Sequence, residues 1–111
     1  MENQQIQRAH NYFSNNPNEF NKFVEKVINK YESDKYYDRW YSKGIEPPKD
    51  LYWFLFYYAE QYGRKCNNSE WDTYGNMFTG ELYYYNNYYF QIMHGQGSII
   101  KILKELNCQN S

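Results

Sequence analysis

Residues 77–103 read MFTGELYYYNNYYFQIMHGQGSIIKIL, and this stretch decides the fold. Its first part is rich in Phe, Thr and Tyr, which suit a pleated strand. Asn tolerates positive φ, so the Asn-Asn pair indicates a two-residue hairpin turn. The stretch predicts a β-meander of strands at 77–85, 88–94 and 98–103, with turns at 86–87 and 95–97. The third of these strands, continued to Leu106, also fits a helical stripe, so both a strand and a helix stay possible for these residues.

The residues before this stretch carry apolar side chains at helical spacing. From Phe20 to Tyr31 they recur every three or four residues, which predicts a helix with one buried stripe. Asn16-Pro17-Asn18-Glu19 predicts its start, with Asn as the capping residue and Glu three positions later. Further helices are predicted at residues 4–13, 34–43 and 48–62, and Ser69 to Asp72 predicts a single helical turn. The fold class is therefore α+β, with about three N-terminal helices packed on a C-terminal three-stranded antiparallel β-meander.

Size and charge limit the function classes. A chain of 111 residues has room for one core, so residues 1–111 are expected to form a single domain whose ends, 1–15 and 107–111, fray. With 12 basic and 13 acidic residues, the chain lacks the basic excess typical of proteins that bind nucleic acid through phosphates. No apolar stretch reaches the length of a membrane span, and no secretory signal is visible. We expect a cytoplasmic protein that does not bind membranes, with Cys66 and Cys108 as reduced thiols.

The tyrosines of the meander are the first candidate contact residues. The chain holds 15 Tyr, and neighbouring residues on a strand point to opposite faces of the sheet. Both faces must therefore carry large rings. One face can pack on the helices, and the other is open to solvent, covered by the chain, or used for a partner. Residues 82–100 carry no formal charge, which favours a protein partner over single-stranded nucleic acid. The candidate partner-binding residues are Tyr83, Tyr84, Tyr85, Tyr88 and Tyr89.

A second candidate surface lies between Lys35 and Lys43, where basic and aromatic residues alternate. Tyr37 and Trp40 are its candidate contact residues, since such a mixture suits a peptide or a phosphate backbone. The alternative is a short amphipathic helix with solvated ion pairs.

Catalytic and metal-binding patterns are weak. Two His and two Cys without short ligand spacing argue against a zinc site, and no cofactor motif is present. Asp72, Glu81 and His94 could converge, with Glu81 and His94 on neighbouring strands, but acid–base catalysis also needs a pocket. The loop from His94 to Ser98 could approach an anion, but a tight turn between strands is the favoured explanation of its glycines. We therefore expect no catalytic residue, no cofactor and no metal.

The leading hypothesis is a non-enzymatic protein-binding module, of the size of a small inhibitor or immunity-type protein, acting through the Tyr-rich hairpin. The alternative is a nucleic-acid-associated regulator, either winged-helix-like or stacking single strands. A winged helix is disfavoured because residues 51–62 offer Trp, Phe, Leu and Tyr in place of base-reading side chains. A small enzyme using Glu81 and His94 is the third hypothesis. A homodimer is also open.

Overall fold

The computed structural model describes residues 2–31, 49–75, 77–95 and 97–106. Within these ranges the chain forms helices and one antiparallel sheet of strand order β1-β2-β3-β4. The α+β class is therefore confirmed. The elements are α1 (Glu2–Phe13), α2 (Pro17–Tyr31), α3 (Lys49–Tyr62), β1 (Arg64–Lys65), α4 (Asn68–Tyr74), β2 (Thr79–Tyr85), β3 (Tyr88–Gly95) and β4 (Gly97–Lys104).

The predicted number of elements is slightly wrong. The described residues form four helices and four strands, where about three helices and three strands were expected. One added strand is β1, two exposed residues that pair with Tyr83 and Tyr84. One added helix is α4, where a single turn was predicted. A capping box formed by Asn67 and Glu70 extends that turn to seven residues. The predicted helix at 34–43 lies outside the described residues, as do Tyr37, Trp40 and Cys108.

The helix boundaries follow local chemistry. Pro17 opens α2 as predicted, but the side-chain amide of Asn16 donates to the carbonyl of Tyr12 at 2.8 Å, so it serves the end of α1. Gly63 ends α3, and its backbone N–H donates to the carbonyl of Ala59 at 2.8 Å. Residues 2–13, at an end expected to fray, form α1 with Ile6 buried in the core.

The hairpin turn has the predicted geometry. Asn86 and Asn87 have φ of 49° and 81°, as a two-residue turn that matches strand twist requires. The register pairs Tyr85 with Tyr88 and continues along β2 and β3 to a bulge between Thr79 and Glu81. β4 is a strand and not a helix, because every residue from Gly97 to Lys104 has a partner on β3.

One face of the sheet, here called the helix face, packs against α1, α2 and α3. Alternate strand residues form this face, and they share a core with apolar residues of all three helices. Phe20 and Tyr58 lie at its centre and are completely buried. The strand residues involved are Tyr83, Tyr85, Tyr88, Phe90, Ile92, Ile100 and Ile102.

The opposite face of the sheet is covered by residues 64–75, here called the connector. The ring of Tyr74 in α4 stacks on Tyr89 with centroids 3.8 Å apart, and the Arg64 guanidinium lies 4.5 Å from the centroid of the Tyr84 ring. This connector face buries Leu82, Tyr89 and Gln91. In the described residues, no helix is both long and apolar enough to cross a membrane.

Candidate interaction surface

The predicted contact tyrosines divide between the two faces. Tyr88 and Tyr89 are buried, while Tyr83, Tyr84 and Tyr85 are half-buried. On the helix face, Tyr85 packs edge-on against Phe20 with centroids 4.8 Å apart, and the Tyr88 hydroxyl donates to the carboxylate of Glu25 on α2. Most of the hairpin rings thus build the interior of the fold.

A polar network ties the connector to the sheet, and Glu70 is its centre. The Glu70 carboxylate accepts two hydrogen bonds from Arg64, each 2.7 Å long. It also accepts the backbone N–H of Asn67 at 3.0 Å and the hydroxyl of Tyr89 at 2.8 Å. These donors, led by Arg64, hold the pKa of the Glu70 carboxyl down at about 2, against the smaller opposing effect of burial. The carboxylate therefore stays charged and bonded at all ordinary pH values.

The same network suppresses the reactivity of Cys66. Burial, reinforced by the nearby Glu70 charge, raises the pKa of its thiol to about 12. Burial followed by the hydrogen bond to Glu70 also raises the pKa of Tyr89. Neither group is prepared to act as a nucleophile or base near neutral pH.

A second network joins α1 to the core through His10. Its Nδ1 lies 3.0 Å from the hydroxyl of buried Tyr58, and its ring stacks on Tyr62 with centroids 3.7 Å apart. The Tyr58 hydroxyl donates to the hydroxyl of Tyr85 at 3.3 Å. The Tyr58 hydroxyl therefore lies within hydrogen-bond distance of both His10 on α1 and Tyr85 on β2. The sequence predicts a helix at residues 4–13, but these long-range partners of His10 depend on the tertiary fold.

Two exposed apolar side chains adjoin one another immediately before β2. Met77 is 87% exposed and Phe78 is 53% exposed. The backbone at Phe78 and at the residue after it is anchored to the sheet. The backbone N–H of His94 donates to the carbonyl of Phe78 at 2.7 Å, and the next residue, Thr79, is buried with its hydroxyl 3.3 Å from the Oε1 of Gln91. Sequence analysis assigned Met77 and Phe78 to a strand and did not single them out, although two apolar residues outside the alternating pattern are a usable signal.

The helix face stays open near Tyr83. Its ring packs edge-on against Phe56 with centroids 5.6 Å apart, and its hydroxyl donates to Glu81 at 3.0 Å. Burial, then this hydrogen bond and the charges of Glu81 and Glu60, raise the pKa of Tyr83 to about 12. Tyr57 lies beside Phe56 on the outer side of α3 and is 39% exposed.

The residues of the enzyme hypothesis are only partly brought together. Glu81 and His94 do lie on neighbouring strands, and a Cβ on Gly80 would overlap the His94 ring, so the ring rests against the β2 backbone. Asp72, in contrast, belongs to α4 on the connector side of the sheet. Gly95 pairs with Gly97, which makes their loop a tight hairpin connection. Among the described residues, no group of three His, Cys, Asp or Glu side chains could hold a metal ion.

The chain matches no family model, no curated protein and no solved structure.

Proposed function

We propose that the protein is a non-enzymatic protein-binding module that docks its partner on the residues immediately before β2. The observation that carries this proposal is the pair of consecutive exposed residues Met77 and Phe78, held on an anchored backbone. Exposed apolar residues that adjoin one another are typical of contact surfaces. Met and Phe are both enriched at the centre of protein interfaces.

The anchoring of this segment supports the proposal. The hydrogen bond from His94 to Phe78 and the burial of Thr79 hold the backbone before a partner arrives. A preorganised contact loses less conformational entropy on binding, so more of the contact energy is available for affinity. Tyr88 and Tyr89 lie at the opposite end of the hairpin, where they pair with Tyr85 and Tyr84, so they would act only through the stability of the fold.

A blocking role, as in a small inhibitor or an immunity-type protein, is part of this proposal because a chain of 111 residues can cover the active surface of a larger protein. We also propose a reducing, cytoplasmic setting, because Cys66 is a free thiol. The nucleic-acid alternative is less favoured at this surface because the nearby carboxylate of Glu81 would repel phosphate.

The test compares two exposed aromatic residues on different surfaces. Phe78→Ser changes the proposed surface, and Tyr12→Ser on α1 is the matched control, because both residues are 53% exposed. Each variant is used to capture partners from host cells, and the partner captured by the unmodified protein is then purified and titrated. We expect Phe78→Ser to weaken binding by at least about tenfold, with Tyr12→Ser and both melting temperatures little changed.

Equal affinity of the Phe78→Ser variant and the unmodified protein would refute the proposal. Light scattering on the purified protein separates a second copy of the chain from a different partner. A dimer that Phe78→Ser dissociates would identify the partner as the chain itself.

A further inference from the structure

A second patch lies on the outer side of α3, next to the proposed docking surface. The Trp53 and Tyr57 rings are 5.6 Å apart between centroids, and Phe56 links them to Tyr83 on β2. Glu81 follows Phe78 by three positions along the chain, so their Cα atoms are at most about 11 Å apart. The two surfaces are therefore close enough for one partner to contact both.

The charge of this patch is negative. Glu60 and Glu81 are both exposed, and Glu81 accepts a hydrogen bond from the Tyr83 hydroxyl at 3.0 Å. Both carboxylates contribute to the raised pKa of Tyr83. Lys65 pairs with Tyr83 across the strands, so its positive charge offsets part of the negative charge of Glu60 and Glu81.

The molecule itself shows how a cation binds to such a combination of groups. On the connector face, the Arg64 guanidinium lies over the ring of Tyr84 while it forms two hydrogen bonds to Glu70. A guanidinium favours both partners, because it stacks on aromatic rings and matches the geometry of a carboxylate. The outer patch offers the same two kinds of group to solvent, without a guanidinium from the described residues.

We propose that the partner docked at Met77 and Phe78 also places an arginine-containing segment on the patch formed by Trp53, Tyr57, Tyr83, Glu60 and Glu81. This inference rests on the proposed function and adds the chemistry of the partner. The aromatic rings supply stacking surface, and the carboxylates supply charge complementarity, which increases association rate and specificity.

The probe is the acetylated and amidated tetrapeptide Gly-Arg-Arg-Gly, titrated into the ¹⁵N-labelled protein at low salt, with Gly-Glu-Glu-Gly as the control peptide. We expect the arginine peptide to shift the Trp53 indole signal and the amide signals around Tyr57 and Tyr83. Glu60→Gln and Glu81→Gln should each weaken binding by about threefold, and Lys65→Gln should strengthen it, whereas Glu19→Gln on α2 should leave it unchanged.

Peptide affinity that is unchanged by both Glu→Gln variants would overturn the inference, as would equal shifts with Gly-Glu-Glu-Gly or with an oligothymidine. The partner experiment keeps the two proposals apart. Loss of capture in Phe78→Ser together with full affinity in Glu60→Gln and Glu81→Gln would leave the proposed function standing and remove the arginine segment from it.

Discussion

Replacing Glu70 by Gln should destabilise the protein more than any other change that conserves side-chain size at a charged residue. The Glu70 side chain is only 14% exposed, and its carboxylate is bonded to Arg64, Asn67 and Tyr89. Gln keeps the volume but removes the charge, and its NH₂ group presents donors to groups that are themselves donors. The connector should then be held less firmly against the sheet.

The magnitude follows from the carboxyl pKa of Glu70. A pKa of about 2 in the folded protein, against an ordinary value of 4.5, corresponds to at most about 3 kcal/mol of stability at about 1.36 kcal/mol per pH unit. Arg64 is 53% exposed, so water and salt screen part of this interaction. We expect Glu70→Gln to lower the free energy of unfolding by about 1.5–2.5 kcal/mol near pH 7.

The pH dependence has a defined sign. Because the folded-state pKa of Glu70 is depressed, the unfolded chain takes up the proton first as the pH falls. The stabilisation is complete above the ordinary value of 4.5 and is lost as the pH approaches about 2. As the pH is lowered through this window, the free energy of unfolding should decrease more steeply in the unmodified protein than in Glu70→Gln.

The assay is chemical denaturation by urea at several pH values, followed by circular dichroism. Glu19→Gln is the matched control, since Glu19 is an exposed helical glutamate paired with Lys22 at 3.4 Å, and loss of this pair should cost at most about 0.5 kcal/mol. If Glu70→Gln and Glu19→Gln have equal stabilities, or if the pH profile of Glu70→Gln parallels that of the unmodified protein, the network centred on Glu70 does not stabilise the fold.

Three further outcomes can be measured on the same preparations. Gly63→Ala should cost more than about 2 kcal/mol in urea denaturation, because a Cβ there would overlap the backbone carbonyl of Tyr84; a near-neutral result would contradict this close packing. Cys66, in a Cys108→Ser background, should react with iodoacetamide at least about 100-fold more slowly in the folded than in the unfolded protein, since burial raises its thiol pKa to about 12; equal rates would show that the thiol is open. Asn87→Ala should lower stability by about 1 kcal/mol because Asn87 has a φ of 81°, and unchanged stability would mean that the turn adopts another geometry.

The hairpin could be predicted from the sequence because its determinants are local. The Asn86-Asn87 pair requires only that both residues tolerate positive φ, and the flanking Tyr and Phe residues favour strands. The helices α2 and α3 were predicted for a similar reason, since spacing along the chain decides which side is apolar. The residues from Ser98 to Leu103 stayed ambiguous because pairing with β3, a tertiary contact, decides between strand and helix.

The covering of the second face could not be predicted. The sequence required rings on both faces, but whether solvent, a partner or the chain would cover the second face depends on where residues 64–75 pack. The Asn67-to-Glu70 spacing was an available signal for α4, since it matches a capping box. The contacts of Glu70 with Arg64 and Tyr89 could not be predicted, because they depend on where the side chains lie in the fold. Tyr89 is 19 residues from Glu70 in the sequence.

The sharing of one core by α1, α2, α3 and the last two strands has a consequence for synthesis on the ribosome. Phe20 and Tyr58 are made early, but their neighbours Ile100 and Ile102 are made near the end of the chain. At about 5–20 residues per second, Tyr58 waits about 2–9 s for Ile102 to follow it. During that interval the core lacks Ile100 and Ile102, so it cannot close completely until β4 has been synthesised.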